Sequence, residues 1–157
     1  MAKEIERKFL VDTEAWVPKD PGTHFKQGYL NSQKERVVRV RIEGAFAKLT
    51  IKGITKGVTR SEFEYAIPVD DADALLTHLC EQPLIDKHRH VELHGGHKWE
   101  IDVFHGENDG LVVAEVELPS EDTTFAKPSW AGAEVSSDPR YFNSNLLKQP
   151  YCTWPRS

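Results

Sequence analysis

Glu4-Ile5-Glu6-Arg7-Lys8-Phe9-Leu10-Val11 sets charges at positions 4, 6 and 8 against apolar residues at 5, 9 and 11. Side chains of a β-strand point alternately to opposite faces, so this stretch predicts a strand with one charged and one apolar face. The pattern recurs along the chain. Residues 36–43 set Arg39, Arg41 and Glu43 against Val38, Val40 and Ile42, and residues 46–52 set Lys48, Thr50 and Lys52 against Leu49 and Ile51. In 60–67, Glu62 and Glu64 oppose Phe63, Tyr65 and Ile67; residues 84–92 carry Lys87 and Arg89. Residues 97–104 set Lys98, Glu100 and Asp102 against Trp99, Ile101 and Val103, and 111–118 set Glu115 and Glu117 against Ala114, Val116 and Leu118. With a short strand around Gly28-Tyr29-Leu30, about eight strands are expected, enough to close a barrel.

Glu43-Gly44-Ala45, Lys56-Gly57, His94-Gly95-Gly96 and Asn108-Asp109-Gly110 read as hairpin loops, so the pairing is expected to be antiparallel. Two helices are expected. The first covers 70–81, capped by Asp70 or Asp71, with Ala74, Leu75 and Leu79 as its apolar face and Pro83 beyond it. The second covers 137–148, capped by Ser137 or Asp138, with Pro139 in its first turn and Tyr141, Leu146 and Leu147 as its apolar set. An irregular tail, 149–157, follows. The fold class is α+β: an eight-stranded antiparallel barrel over 3–118 with a charged interior and flanking helices, in one domain of 157 residues.

A solvated sheet face mixes Thr, Ser, Gln and Lys freely. Here the polar faces hold acidic pairs on four strands and basic residues on four. A barrel with its charges inside and its apolar face outside accounts for this better than a β-sandwich binding module, which makes the pairs accidental. Confined like charges repel, and unpaired buried charge is costly. Glu4, Glu6, Glu62, Glu64, Glu100, Asp102, Glu115 and Glu117 require cations, and Lys8, Arg39, Arg41, Lys52, Lys87 and Arg89 require anions. Cross-pairing meets part of this demand; a divalent cation with a polyphosphate meets the rest. Carboxylates suit Mg²⁺ or Mn²⁺, Arg forks onto phosphate, and Lys acts as a point charge.

The opening string also resembles the signature of the CYTH superfamily, the triphosphate tunnel metalloenzymes. Arg39-Val40-Arg41, Lys52, Glu62-Phe63-Glu64, Lys87-x-Arg89, Glu100-x-Asp102, Glu115-Val116-Glu117 and Asp138-Pro139-Arg140-Tyr141 look like family elements in the family's order, spanning roughly 3–148. The resemblance implies an eight-stranded tunnel with a triphosphate at its centre. It implies an activity among inorganic triphosphate hydrolysis, thiamine triphosphate hydrolysis and class IV adenylate cyclisation, with inorganic triphosphatases the most similar group. By that resemblance Glu4, Glu6, Asp102, Glu115 and Glu117 match metal-binding positions. Lys8, Arg39, Arg41, Lys52, Arg89 and Arg140 match phosphate-holding positions. The alternation adds Glu62, Glu64 and Glu100 to the acidic set. Candidate proton-handling groups are Lys8 and Lys87, if close together in the tunnel, or Tyr29 in the family-like Gln27-Gly28-Tyr29-Leu30. The 137–148 helix is expected to act as a lid that brings Arg140 to the substrate.

The formal net charge of -5 gives no reason to expect a nucleic-acid partner. No stretch reaches the ~18 apolar residues of a membrane span, and the first residues do not resemble a signal peptide, so a cytoplasmic protein acting on a small triphosphate, as monomer or homodimer, is expected. A non-catalytic polyphosphate or nucleotide sensor is the alternative of another class; the full acidic set argues against it. His88, His90, His94 and His97 read as an exposed polar hairpin rather than a metal site. Trp16, Trp99, Trp130 and Trp154 read as packing residues, Cys80 as a small buried apolar residue, and Lys34 as a solvated charge.

Overall fold

The computed structural model of the chain describes residues 5–54 and 61–155, the side chains of 143 and 144 excepted. Glu4 and the Lys56-Gly57 turn lie outside the described residues. Nine strands form one antiparallel sheet: β1 (Ile5–Val11), β2 (Thr23–Asn31), β3 (Arg36–Glu43), β4 (Phe46–Gly53), β5 (Glu62–Ile67), β6 (Ile85–His94), β7 (His97–Phe104), β8 (Val112–Leu118) and β9 (Ala131–Glu134). Their order is β5-β4-β3-β2-β6-β7-β8-β1-β9. The expected closed barrel of eight is therefore a nine-stranded sheet with two ends. β9 escaped the sequence reading because Ala131-Gly132-Ala133-Glu134 carries no charged–apolar alternation. It pairs with β1 through Phe9–Glu134 and Val11–Ala131, and Arg7 Nε donates to Glu134 at 2.9 Å.

Directly opposed residues in a ladder point to the same face. Following the register across the sheet puts Glu62 and Glu64, Lys52 and Lys48, Arg39 and Arg41, Tyr29 and Gln27, Lys87 and Arg89, Asp102 and Glu100, Glu115 and Glu117, and Lys8 and Glu6 on one face. The predicted alternation is thus one continuous charged surface.

The opposite face carries two cores. Val40, Ile42 and Ala47 of β3 and β4 are buried under α1 (Val69–His78). Phe9, Trp99, Ile101, Ala114 and Val116 of β1, β7 and β8 are buried with Trp16 and Trp130 from the connecting loops. Loops rather than a helix cover this second core. α1 starts earlier than expected because Pro68 is the N-cap, leaving Asp70 and Asp71 in the first turn without a capping bond. Its buried residues are Ala72 and Leu76, with Leu75 at the margin; Leu79 lies past the last helical residue and is exposed. Gly28 of β2 makes room below α1, since a Cβ there would lie 2.5 Å from Leu84 Cδ2.

The expected 137–148 helix is broken. Asp138 does cap, accepting from the Arg140 amide, but Pro139–Tyr141 form a single 3₁₀ turn, Phe142 is extended, and α2 (Asn143–Leu146) is one turn long. The segment does not flank the apolar face of the sheet. Tyr141 and Leu146, flanked by Tyr151 and Trp154, pack with Ile85, Phe104, Leu111, Val113 and Leu10. Ile85, Phe104 and Val113 occupy the same face as Lys87, Asp102 and Glu115. One end of the charged face is therefore apolar and plugged by the C-terminal segment, and the tail holds a further 3₁₀ turn at Tyr151–Thr153.

The Glu134 carboxyl titrates near 2, pulled below its ordinary 4.5 by the hydrogen bonds from Arg7 and Ser136. A depressed acid stabilises the fold above its unfolded pKa and loses that contribution as pH falls through the folded value. The difference in urea midpoint between the wild type and Glu134→Gln is expected to be full at pH 6 and to shrink between about pH 4.5 and 2; a difference constant over that range would show that the pair does not anchor β9.

Candidate active site

The acidic half of the charged face comes from β1, β7 and β8. Glu6 stands opposite Glu117, and Glu115 stands between Lys8 and Glu100. Directly opposed like charges are unfavourable in a sheet unless something neutralises them. Lys8 Nζ lies 3.3 Å from Glu115 Oε1 and donates to the Tyr141 carbonyl at 3.0 Å. Burial opposes ionisation of Glu115, but a hydrogen bond with Glu6 and the Lys8 charge hold its carboxyl below the ordinary range.

Asp102, on β7, is the buried hub. Lys87 Nζ donates to its Oδ2 at 2.8 Å, and Arg89 donates from Nε to Oδ1 at 2.8 Å and from Nη2 to Oδ2 at 3.0 Å. Arg89 also reaches Glu100 at 2.9 Å, and its guanidinium lies 4.8 Å from the Phe25 ring centroid. Burial works against the Asp102 charge, yet the Arg89 hydrogen bonds and the Lys87 ammonium keep its carboxyl below the ordinary range. Burial lowers the Lys87 amine despite Asp102, and the neighbour that lowers it further is Arg89. Lys8 is instead committed to Glu115 and Tyr141, so the expected Lys8–Lys87 repulsion is not the source of the shift.

The basic half comes from β3 and β4. Arg41 donates to Gln27 at 2.8 Å and to Glu43 at 3.1 Å. Lys48 and Thr50 reach Glu64 at 3.5 and 3.3 Å, and Lys52 lies 4.0 Å from Glu62. Glu62 and Glu64 thus neutralise the β4 lysines rather than joining the β1/β8 carboxylates. Among the described residues Arg39 makes no ion pair and its buried Nε has no hydrogen-bond partner, and burial followed by Arg41 lowers its pKa. It borders a cavity of about 590 Å³ that Tyr29, Lys52, Lys34 and Lys148 also line, with Val37, Pro83 and Leu147 as its apolar wall. Arg140 is not brought to this face's cations: it is exposed, paired with Asp138 and laid 5.3 Å from the Trp154 ring.

Sequence reasoning missed several neighbours. Gln27, a buried residue, shares the charged parity of its strand and was legible in principle, while Glu43, already placed on the charged face, gains Arg41 as its partner. Lys34 is exposed as expected and also borders the cavity. The Tyr141 carbonyl that receives Lys8 leaves no sequence signal.

The CYTH domain family matches residues 2–151. This chain belongs to the CYTH family. It is 49% identical over 151 residues to the inorganic triphosphatase of Acetivibrio thermocellus, covering 96% of this chain and 97% of that one. The inorganic triphosphatase of Nitrosomonas europaea is 37% identical over 150 residues, 91% and 95% of the two chains. Among solved structures, the inorganic triphosphatase NE1496 superposes with a TM-score of 0.77 at 34% identity, covering 94% of this chain and 95% of that one. The antiparallel sheet is therefore this family's tunnel fold, with strand β9 added to the eight anticipated.

Asp102→Asn is expected to leave buried Lys87 beside Arg89 without its counter-charge. A loss of about 3–5 kcal/mol in chemical denaturation is expected, the scale for breaking a buried pair from one side; a change within experimental error would show that the hub is not structural.

Proposed function

We propose that this CYTH protein hydrolyses inorganic triphosphate to diphosphate and phosphate on its charged face, with Mg²⁺ or Mn²⁺. The observation that carries the reading is the division of one face into opposed carboxylates on β1, β7 and β8 and cations on β3, β4 and β6, with Arg39 half-buried and in no ion pair among the described residues. The relatives' shared name, inorganic triphosphatase, supports it.

The donor set fits a hard divalent ion: oxygen ligands in directly opposed pairs that repel when alone. Among the described residues no three such side chains already converge on one point. Glu6, Glu115 and Glu117, with Glu4, would hold the ion, and Glu100 and Asp102 would flank it. When bound, the metal supplies charge neutralisation to the phosphate oxygens and a position for the attacking water. The chain's own cations do the rest. Arg39 and Arg41 fork onto phosphoryl oxygens, Lys8, Lys52 and Arg89 add charge, and in-line attack then depends mainly on positioning. Lys87 is the favoured proton acceptor, because burial lowers its amine from the ordinary lysine value; Tyr29, facing Arg39, is the other. Arg140 contributes only if it leaves Asp138, which assigns the Pro139–Tyr141 turn the part of a lid.

A second reading, hydrolysis or cyclisation of an organic triphosphate such as ATP or thiamine triphosphate, is favoured by the cavity beside Arg39, whose apolar wall exceeds what phosphate needs. Purified protein given tripolyphosphate, ATP and thiamine triphosphate with either metal, with phosphate, diphosphate and cyclic AMP followed separately, separates the readings. No turnover of any of them would sink both and leave a phosphate sensor.

Arg39→Ala is expected to lower kcat/KM for tripolyphosphate by about 10²-fold, the scale for losing one preorganised donor; full activity would remove Arg39 from the site. At saturating metal, kcat is expected to rise with pH, with a midpoint below the ordinary lysine value of 10.5. Deprotonation creates the base, so the rise is toward alkaline pH, and Lys87→Met should abolish it. A flat profile from pH 7 to 10 would count against both Lys87 and Tyr29.

A further inference from the structure

Between the two outer cores, the face of β2 and β6 away from the charged site holds a group of imidazoles. His24 stands opposite His88 in the ladder, and their rings stack with centroids 4.7 Å apart. His105, just past β7, turns its ring toward His88: His88 Nδ1 and His105 Nε2 are 2.7 Å apart. Backbone bonding fixes both partners, since His88 is within a strand ladder and the His105 amide donates to the Asp86 carbonyl at 2.8 Å. Asp86 takes His24 Nε2 at 2.6 Å. These residues lie on the opposite strand parity from Lys87 and Arg89, so they play no part in the phosphate site.

We propose that His88 and His105 form a two-imidazole site for a borderline divalent transition metal, Cu²⁺ or Ni²⁺, on the outer face of the sheet. Two facing ring nitrogens share one proton in the neutral pair; a metal takes its place by accepting both lone pairs, the donor ring losing that proton to water and regaining one on its other nitrogen, so both rings remain neutral ligands. Nitrogens bound cis at about 2.0 Å in a tetragonal site are separated by about 2.8 Å, close to the 2.7 Å at which the two hydrogen-bonded ring nitrogens already sit, so small ring rotations turn both lone pairs onto one point; tetrahedral zinc needs about 3.3 Å. Burial, then the neighbouring His24 and His105, lower the His88 pKa, so the ring is unprotonated near neutrality. The half-exposed surroundings leave water to fill the other positions, with Asp86 and His24 adjacent. Imidazole donors select these metals, whereas the carboxylates of the other face suit harder ions.

The test is a Cu²⁺ titration of the full chain with excess Mg²⁺ present, read by EPR. One equivalent with superhyperfine splitting from two nitrogens is expected. His88→Gln and His105→Gln should each weaken that equivalent at least tenfold, while His94→Gln, at the hairpin tip, should not. The variants' tripolyphosphate turnover, or their thermal unfolding should turnover be absent in the wild type, reports that they are folded independently of the metal result. Absence of a nitrogen-coordinated equivalent in the wild type, or its survival within twofold in both His88→Gln and His105→Gln, would overturn the site.

Discussion

The arrangement depends on one buried carboxylate shared by two cations. Asp102 is nearly inaccessible, and desolvating it is tolerable only because Arg89 and Lys87 together supply three short hydrogen bonds. Those bonds cross the β6–β7 ladder at the Arg89–Asp102 pair. A slip of one residue between β6 and β7 would put Asp102 on the opposite face from Lys87 and Arg89, so the ion cluster and the alternation enforce the same register. That register in turn aligns Glu100 with Glu115, and Glu115 with Lys8.

With polar atoms claiming most of one face, apolar burial is distributed around it. Two outer cores hold the ends of the sheet, one beneath α1 and one beneath loops, and a third cluster sits within the charged face where Ile85, Phe104 and Val113 follow the polar residues on their strands. The C-terminal segment completes that third cluster while its Tyr141 carbonyl receives Lys8. Packing and site are thereby coupled: the element that closes the apolar end also positions a cation of the acidic half.

Strand positions were legible because a period of two is a strong signal when every second residue is charged. β3 and β7 begin and end where alternation does, at Arg36–Glu43 and His97–Phe104. β9 lacked that signal, and closure of the sheet depends on strand pairing that no local pattern encodes. The helix errors have local causes. Pro68 took the cap from Asp70, and an extended Phe142 interrupted a sequence with acceptable helix periodicity. The charged residues were legible as a set, but their pairing was not: Glu62 and Glu64 belong with the β4 lysines, and Arg140 with Asp138. Nor did spacing reveal the histidine group, because His24 and His105 are far from His88 in sequence and meet it only through the β2–β6 and β6–β7 ladders.

The pairing of β1 with β8 and β9 carries a consequence for the order of folding. The first strand holds Glu6 and Lys8, yet its ladder partners and the carbonyl that receives Lys8 come from the far end of the chain, 133 residues away for Lys8 and Tyr141. Contacts of such separation form late, since the intervening loop must be closed before they contribute. The β2–β4 hairpins, built from neighbouring segments, are free to assemble during synthesis, but the acidic half waits for the last strands to emerge. An unfinished chain thus pairs the β4 lysines with Glu62 and Glu64 before Glu6 and Lys8 meet their partners on β8, and the basic half of the face is complete before the acidic half.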